Sequence, residues 1–565
     1  MGIFLCSRFN ESPEPVPHVV STTQIPSALY WGKVQPHSYI NWVRAAAIYS
    51  LSITPTGSDR ANASRGIRTM GVVTILSLAL SFILTLLFLV SYWRQQKKSI
   101  TLPPGPAPLP LLGNLRYTLH KSHYKFFPEL SKRYGPVFTI WQMTDPVVVL
   151  CGYEMVRDAL MNHAEQFSGR PFSPVIDLYS KGYSFPSLQG ERWRQLRRFT
   201  LSSLRNFGMG KKSMEELVLE EAQHLNAAVS ETGGKPFNPV HLTGCAVANI
   251  TSRALLGEQF QYQDQKLRDL LLTTRRFISN THSFLHQLSN MFPVLLYVPA
   301  FRQKIFRESS ELLAFVTEYI EQHKQTLDPN SPRDFIDYFL LKIREEKMAA
   351  QSNFCETSLL MTIIALLAAG TETTSSTLAF CLAFISNYPD AQAKIQREMD
   401  EVVGPQRPPE TGDRARLPYT NAVIHEMQRL LDLAPIAHFH AVTEDTEFQG
   451  FTIPKGTTVI PFISSVLFDP TQWETPEEFN PGHFLDGDGK FRARPAFMAF
   501  SAGKRVCAGE SLARMELFLL FCSLLQKFTF RRAPGSEPRD CTYLRKNKVQ
   551  TIMSSIVCAV PRSTM

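Results

Sequence analysis

The chain has 565 residues, 44% of them hydrophobic and 19% charged, with 38 prolines and a formal net charge of +9. Those proportions exclude a disordered or fibrous polymer and leave ample material for a deep core. The positive charge suits nucleic acid, anionic lipid or an acidic protein, but no nucleic-acid motif accompanies it. The nine cysteines form no Cys-x-x-Cys pair and no Cys/His group at zinc spacing, which argues against a disulfide scaffold or a zinc site and fits a reducing compartment.

Residues 1–69 carry scattered prolines and serines, little periodicity and a basic excess that includes Arg60, Arg65 and Arg68. They read as a disordered amino-terminal extension. Met70, followed at once by an apolar run, reads as the natural start, and the extension as an alternative or mispredicted one. An organelle-targeting presequence is the rival reading, since acid-poor segments with Arg and Ser serve that purpose. Residues 70–93 read as a transmembrane signal anchor. Gly71–Trp93 holds 23 residues without a charge and ends on the aromatic pair Tyr92 and Trp93, long enough to cross a hydrocarbon core of about 30 Å. It lacks the small-x-small site of a cleaved signal peptide. Arg94, Lys97 and Lys98 follow directly and set the carboxy-terminal side toward the cytosol, in competition with the arginines before Met70. Residues 94–110 form a basic, proline-rich hinge, Leu102-Pro-Pro-Gly-Pro-Ala-Pro-Leu-Pro110, in which each proline fixes φ and denies helix continuation. A stiff spacer in that place orients the remaining domain, 111–565, on the membrane.

With no internal repeat and no long low-complexity linker, the remainder reads as one large unit. Trp193-Arg-Gln-Leu-Arg197 lies in a densely basic stretch with Arg192, Arg194, Arg198, Arg205, Lys211 and Lys212. Such a run is a solvated face or a docking surface for an acidic partner. From about Thr357 to Asn387 the pattern predicts one long helix, apolar on all sides in its first half and so buried, with a second membrane span as the alternative. Its middle carries Ala369-Gly370-Thr371-Glu372-Thr373-Thr374, and burying a carboxylate and several hydroxyls is unfavourable unless they are paired or used. Gly370 is expected to widen the hydrogen-bond ladder locally. Thr373 either holds and relays a proton or bonds back to the carbonyl one turn earlier.

Glu426-Met-Gln-Arg429 has the spacing of three that puts both side chains on one helical face. Phe479-Asn-Pro-Gly-His483-Phe484 follows. Then comes the most specific stretch, Phe500-Ser-Ala-Gly503-Lys-Arg505-Val-Cys507-Ala-Gly509. It offers one thiolate among small residues to a large cofactor lying flat against the backbone. A thiolate on haem iron donates electron density that favours O–O cleavage. Gly503 and Gly509 allow tight bending and close approach, Phe500 can cover the sulfur, and Arg505 can meet a carboxylate on the ring's edge.

Taken together, these motifs and their order resemble the cytochrome P450 superfamily over about residues 70 to 563; every fixed position of its signature Phe-x-x-Gly-x-Arg-x-Cys-x-Gly is filled, and the form Phe-Asn-Pro-Gly-His-Phe is similar to its mammalian-type family 2 branch. The resemblance implies a mainly α fold of about a dozen helices with small peripheral sheets, and haem b between the long helix and the cysteine loop. It implies Cys507 as the iron ligand; Trp193, Arg197, Arg505 and His440 at the haem propionates; Phe500, Gly503 and Gly509 around the ring; and Thr373 with Glu372 as the proton-delivering pair, Glu372 linking the relay to solvent. His440 departs from the family pattern, standing in Phe439-His440-Ala441 rather than Pro-His-Arg or Pro-His-Lys, so an ordinary surface histidine is its other reading. Glu426, Arg429 and His483 are implied as a lock on the fold, with the charge of His483 open because arginine is usual there. The expected activity is monooxygenation of lipophilic fatty acids, steroids or xenobiotics with electrons from NADPH. The expected partners are NADPH-cytochrome P450 reductase, cytochrome b5 and membrane lipid, and the expected place is the endoplasmic reticulum membrane with the catalytic domain facing the cytosol. Candidate pocket segments are Ile176–Phe185, Phe284–Pro293, Leu366 with Ala369, and Ala434–His438. A haem-thiolate peroxide isomerase and a non-catalytic haem or lipid carrier are the rival readings.

Overall fold

The computed structural model describes residues 74–83, 85–91, 101–114, 117, 123–206, 212–281, 283–346 and 352–562. The amino-terminal extension expected over residues 1–69 lies outside the described residues, as do Lys211 and most of the basic segment after the anchor. The chain divides between Trp93 and Arg94 into two units. The described part of the first is a single helix, α1 (Thr74–Ser91), with mean hydropathy 2.4 and Ile75, Leu76, Leu78 and Phe82 more than half exposed. Its 18 residues span about 27 Å, close to the thickness of a hydrocarbon core.

The second unit is mainly helical with three small sheets. Strands β1 (Val137–Gln142), β2 (Asp145–Leu150), β3 (His440–Ala441) and β6 (Thr458–Pro461) form a four-stranded sheet in the order β1-β2-β6-β3; β4 (Thr446–Phe448) pairs with β5 (Phe451–Ile453), and β7 (Phe528–Arg532) with β8 (Val557–Pro561). The β1–β2 and β6–β3 pairs are antiparallel and β2–β6 is parallel. The proline-rich segment is stitched to this sheet rather than hanging free. Thr139 N–H donates to Pro104 O (3.0 Å), Asn114 N–H to Trp141 O (2.7 Å), and Trp141 N–H to Asn114 Oδ1 (2.8 Å). A Cβ at Gly105 would stand 1.8 Å from Thr139 O, so only glycine lets the two backbones approach this closely.

The helices that frame the core are α2 (Gly190–Asn206), α3 (Lys212–Ser230), α4 (Pro239–Leu256), α5 (Gln265–Thr281), α6 (Phe284–Met291), α7 (Pro299–Thr326), α8 (Phe335–Glu345), α9 (Glu356–Ile385), α10 (Pro389–Val402), α11 (Pro418–Leu431) and α12 (Glu510–Lys527). The predicted long helix is α9. It runs through the centre, packed on α4, α12, α5 and α7, and Leu359, Ile363, Leu367, Leu378, Phe380 and Phe384 are all fully buried. Burial of most of its length against protein accounts for its hydropathy and removes the second-membrane-span alternative. The expected local widening at Gly370 is corrected: α9 is regular α-helix throughout. Glycine is favoured there because α4 comes close, and a Cβ would sit 3.2 Å from Thr251 Cγ2.

Candidate functional site

The cysteine loop is built by its backbone. Gly503 sits at φ +69°, and a Cβ there would lie 1.9 Å from Leu160 O, so both conformation and space demand glycine. The loop makes one 3-10 turn, Gly503–Arg505, and closes with Cys507 N–H donating to Phe500 O at 3.0 Å. Cys507 is the only exposed cysteine among the described residues, yet protein encloses it on most sides. Burial raises its thiol pKa, while the Gly509 N–H and the Arg197 guanidinium pull in the opposite direction. Accessible and desolvated together describe a sulfur facing enclosed space. Coordination to a metal ion deprotonates such a thiol outright. Gly509 does not need its glycine for conformation, since its φ is −95°. A Cβ there would meet no protein atom within 4 Å, so the chain beside the sulfur is open at this position.

On α9 a second opening appears. Leu366, Ala369, Gly370 and Thr373 recur at the i, i+3, i+4, i+7 spacing of one helical face. They are the partly or fully accessible positions in a stretch whose neighbours Leu367, Ala368, Thr371, Glu372 and Thr374 are buried. A small-residue groove along a central helix is a cradle for a flat or bulky group. The Thr373 hydroxyl donates to Ala369 O at 2.8 Å, the back-bonded arrangement, which leaves its oxygen lone pairs free to accept. Glu372, one residue earlier, points away from this face toward α5, where Arg275 Nε meets its two oxygens at 3.3 and 3.4 Å and Ser376 Oγ lies 3.4 Å from Oε1. Burial raises the Glu372 carboxyl pKa; Arg275 opposes this only in part. The carboxylate is therefore held by an arginine rather than open to water.

Three arginines converge on the cysteine loop without a carboxylate among the described residues to balance them. Arg505 donates to Ser168 O (2.8 Å) and Leu188 O (2.7 Å), and its Cζ lies 3.7 Å from the centre of the Trp193 ring. Arg197 donates to Val506 O at 2.5 Å. Arg170 donates to Pro186 O (3.1 Å), His438 O (3.1 Å) and Phe439 O (2.9 Å). Burial and mutual repulsion push Arg505 down to about 8 and Arg170 to about 9, and burial also lowers Arg197. Carbonyl dipoles and the face of the Trp193 ring hold these charges, and a ligand with two carboxylates would supply what they lack. Together with the accessible thiol, the space at Gly509 and the α9 groove, this cluster fits a haem.

The residues expected at the propionates thus come together, with one addition. Arg170 was not singled out from the sequence; its signal, a lone arginine between Gly169 and Pro171, is weak because its partners lie far along the chain. His440 is carried into the cluster by the β3–β6 pairing, opposite Val459. It is buried rather than at the surface, its Nδ1 donates to Phe167 O (2.6 Å), and burial with the repulsion of Arg170 holds its pKa down to about 3. Nε2 is then an acceptor, so His440 would need a proton before it could donate to a carboxylate. His438 keeps an accessible surface yet is enclosed by protein on most sides, and that desolvation followed by the Arg170 charge keeps its pKa well below the ordinary imidazole value. Of the other pocket segments, Phe185 packs in the core with Leu188 and Trp193, whereas Phe284 is 56% exposed. Of the basic run, Arg194, Arg198 and Arg205 point outward and Arg197 inward.

Glu426 and Arg429 form a fully buried bidentate pair, Nε–Oε2 and Nη2–Oε1 both 2.8 Å. Arg429 also donates to Leu467 O, Pro476 O and Glu478 O. His483 Nε2 accepts from Thr475 N–H (3.2 Å), so its proton lies on Nδ1, which faces Glu426 Oε1 at 3.2 Å. Burial alone would raise the Glu426 carboxyl, but Arg429 and His483 outweigh it and hold the pKa below its ordinary value.

A sequence model of the cytochrome P450 family matches residues 103–554. Among curated proteins, the chain is 42% identical over 492 residues to cytochrome P450 2C3 of Oryctolagus cuniculus, covering 87% of this chain and all of that protein. It is 42% identical over 491 residues to cytochrome P450 2C8 of Homo sapiens, covering 86% and 99%. It is 44% identical over 470 residues to cytochrome P450 2B19 of Mus musculus, covering 83% and 95%.

Proposed function

The chain belongs to the cytochrome P450 family, and from that premise we propose which of its residues carry the activity and where it works. It is a haem-thiolate monooxygenase of the family 2 type that acts on lipophilic substrates, with haem b as cofactor and NADPH, through a redox partner, as electron source. When bound, the haem supplies oxygen activation driven by electron donation from its thiolate ligand. In our reading Cys507 provides that thiolate, Gly503 lets the loop close against Leu160, and the open position at Gly509 leaves room beside the sulfur for the ring. Arg170, Arg197 and Arg505 bind the propionates, with Trp193 stacked against Arg505. The observation that carries this assignment is the cluster of two buried guanidiniums and one partly buried guanidinium, without a carboxylate partner among the described residues, beside the exposed Cys507 thiol.

Thr373 holds a proton at Oγ1 over the α9 groove, and Glu372, once Arg275 releases its carboxylate and that carboxylate has taken a proton from water, passes the proton on to replace the one given up. Apolar groove residues such as Leu366 orient the substrate and exclude water. The outward cations of α2, Arg194, Arg198 and Arg205, steer an acidic partner, for which NADPH-cytochrome P450 reductase and cytochrome b5 are the choices. The α1 helix anchors the protein in the endoplasmic reticulum membrane with residues 94–565 on the cytosolic side.

Spectroscopy of the reduced, CO-bound protein tests the ligand: the expected result is the red-shifted Soret band of thiolate ligation, absent in Cys507→Ser. NADPH-dependent turnover of a lipid and drug panel with added reductase, read by mass spectrometry, tests the reaction. Thiolate ligation with peroxide rearrangement but no NADPH-dependent product would favour an isomerase instead.

A further inference from the structure

Outside the haem site, one concavity carries charge that the chain leaves unbalanced. It measures about 250 Å³ and is lined by Thr411, Arg414, Ser511, Arg514, Met515 and Phe518. At about 30 Å³ per water it has room for a tetrahedral anion and several waters. Met515 and Phe518 are buried; the other four lining residues offer two guanidiniums and two hydroxyls.

The charges are arranged in a way that scaffold duty does not account for. Arg514 is paired with Glu510 (Nε–Oε1 2.9 Å, Nη2–Oε1 2.8 Å). Arg414 has no carboxylate among the described residues: its Nε donates to Asn421 Oδ1 (2.9 Å) and its Nη2 lies 3.4 Å from His425 Nε2. His425 cannot compensate it. Its Nδ1 donates to Asn421 O (2.7 Å) and its Nε2 accepts from Arg514 Nη1 (2.6 Å), so the ring is neutral. Burial and then the repulsion of Arg514 push Arg414 down to about 10. The Thr411 hydroxyl is buried without a partner, although its backbone N–H is taken by Glu215 Oε1 at 2.6 Å.

We propose that this cavity is a binding site for a small tetrahedral oxyanion, inorganic phosphate or a phosphate monoester, held by the Arg414 and Arg514 guanidiniums with the Thr411 and Ser511 hydroxyls. Guanidinium forks match phosphate oxygens in geometry, and the unpartnered hydroxyl supplies a further donor. Arg514 also packs over the Phe500 ring, its Cζ 5.0 Å from the ring centre, so the cavity borders the cysteine loop from the side of α12.

The test is calorimetric titration of the holoenzyme with inorganic phosphate in a phosphate-free buffer, ionic strength held constant with chloride. One saturable site is expected. Arg414→Gln should weaken it at least tenfold. Ser511→Glu, at an exposed position that tolerates substitution, should weaken it equally by placing a carboxylate in the cavity, which keeps the test decisive should Arg414→Gln disturb the packing around His425. Arg198→Gln on the exposed face of α2 should leave binding unchanged. Absence of a saturable site in the parent protein, wild-type affinity in Ser511→Glu, or an equal loss in Arg198→Gln would overturn the proposal.

Discussion

Two clusters built from the same side-chain chemistry stand at opposite extremes of this molecule. In the first, Arg429 is fully buried and fully answered: a bidentate carboxylate, three carbonyls and a histidine that shares the carboxylate. In the second, Arg170 and Arg505 are buried and Arg197 partly so, but only carbonyl dipoles and the Trp193 ring answer them. A buried charge with its counter-charge supplied by the chain serves the scaffold. A buried charge whose counter-charge is missing marks where a ligand belongs. The contrast separates the lock on the fold from the cofactor site without reference to any motif.

The comparison is broken most directly at the lock. Glu426→Ala leaves Arg429 buried and unpaired and should lower stability by about 3–5 kcal/mol, read as a shifted denaturation midpoint of the haem-free protein. If that protein is as stable as the parent, the lock is not a lock. The same carboxyl gives a pH signature. Its folded-state pKa lies below the ordinary 4.5, so its contribution is fully present above pH 4.5 and is lost as pH falls through the folded-state value. Glu426→Gln should flatten the acid limb of the stability curve, which unfolding at a series of pH values would reveal.

At the open cluster the expected sign is reversed. Arg505→Ala removes one of three repelling cations, so the haem-free protein should unfold no earlier than the parent. Haem retention should weaken by about tenfold or more, because a charge-assisted contact of about 1.5–3 kcal/mol is lost. Competition for bound haem by an apo-acceptor protein measures this, and a loss of apo-stability with unchanged haem retention would erase the distinction between the clusters. Arg170→Ala should behave alike, which tests the member that the sequence did not suggest.

The smallest structural effect is expected on α9. Thr373→Ala removes a single hydroxyl bonded to its own helix, so stability should change by less than about 1 kcal/mol, while NADPH consumption rises relative to product. Unchanged coupling would assign Thr373 to the helix alone. Arg275→Ala leaves the buried Glu372 carboxyl without its cation, so it should raise that carboxyl's pKa, move the pH dependence of coupling to higher pH and lower stability, which turnover and unfolding at a series of pH values would read.

Much of this was legible in the chain because its signals are local. The loop around Cys507, the spacing of Glu426 and Arg429 on one helical turn, the apolar run of α1 and the length of α9 all depend on residues within a few positions of one another. The proline-rich segment was legible as stiff but not as stitched to β1, since the partner carbonyls and amides of Pro104 and Asn114 lie at Thr139 and Trp141. Gly370 was legible as significant for the wrong reason. Its neighbour Thr251 comes from α4, and no reading of α9 alone contains it.

The sequence by itself determined the chemistry: a single thiolate in a glycine-bounded loop, a hydroxyl and an acid in a core helix, and the order of motifs that identifies the family. Only the tertiary structure decided which charges are answered. It brought Arg170 to the loop of Arg505, closed Glu372 with Arg275, placed the His483 proton on Nδ1 and set Arg414 along a concavity with Arg514. The physical reason is one of range. Backbone propensity and side-chain spacing act over a helical turn, whereas desolvation and Coulomb energy depend on whatever packing brings within a few ångströms, however distant in the chain.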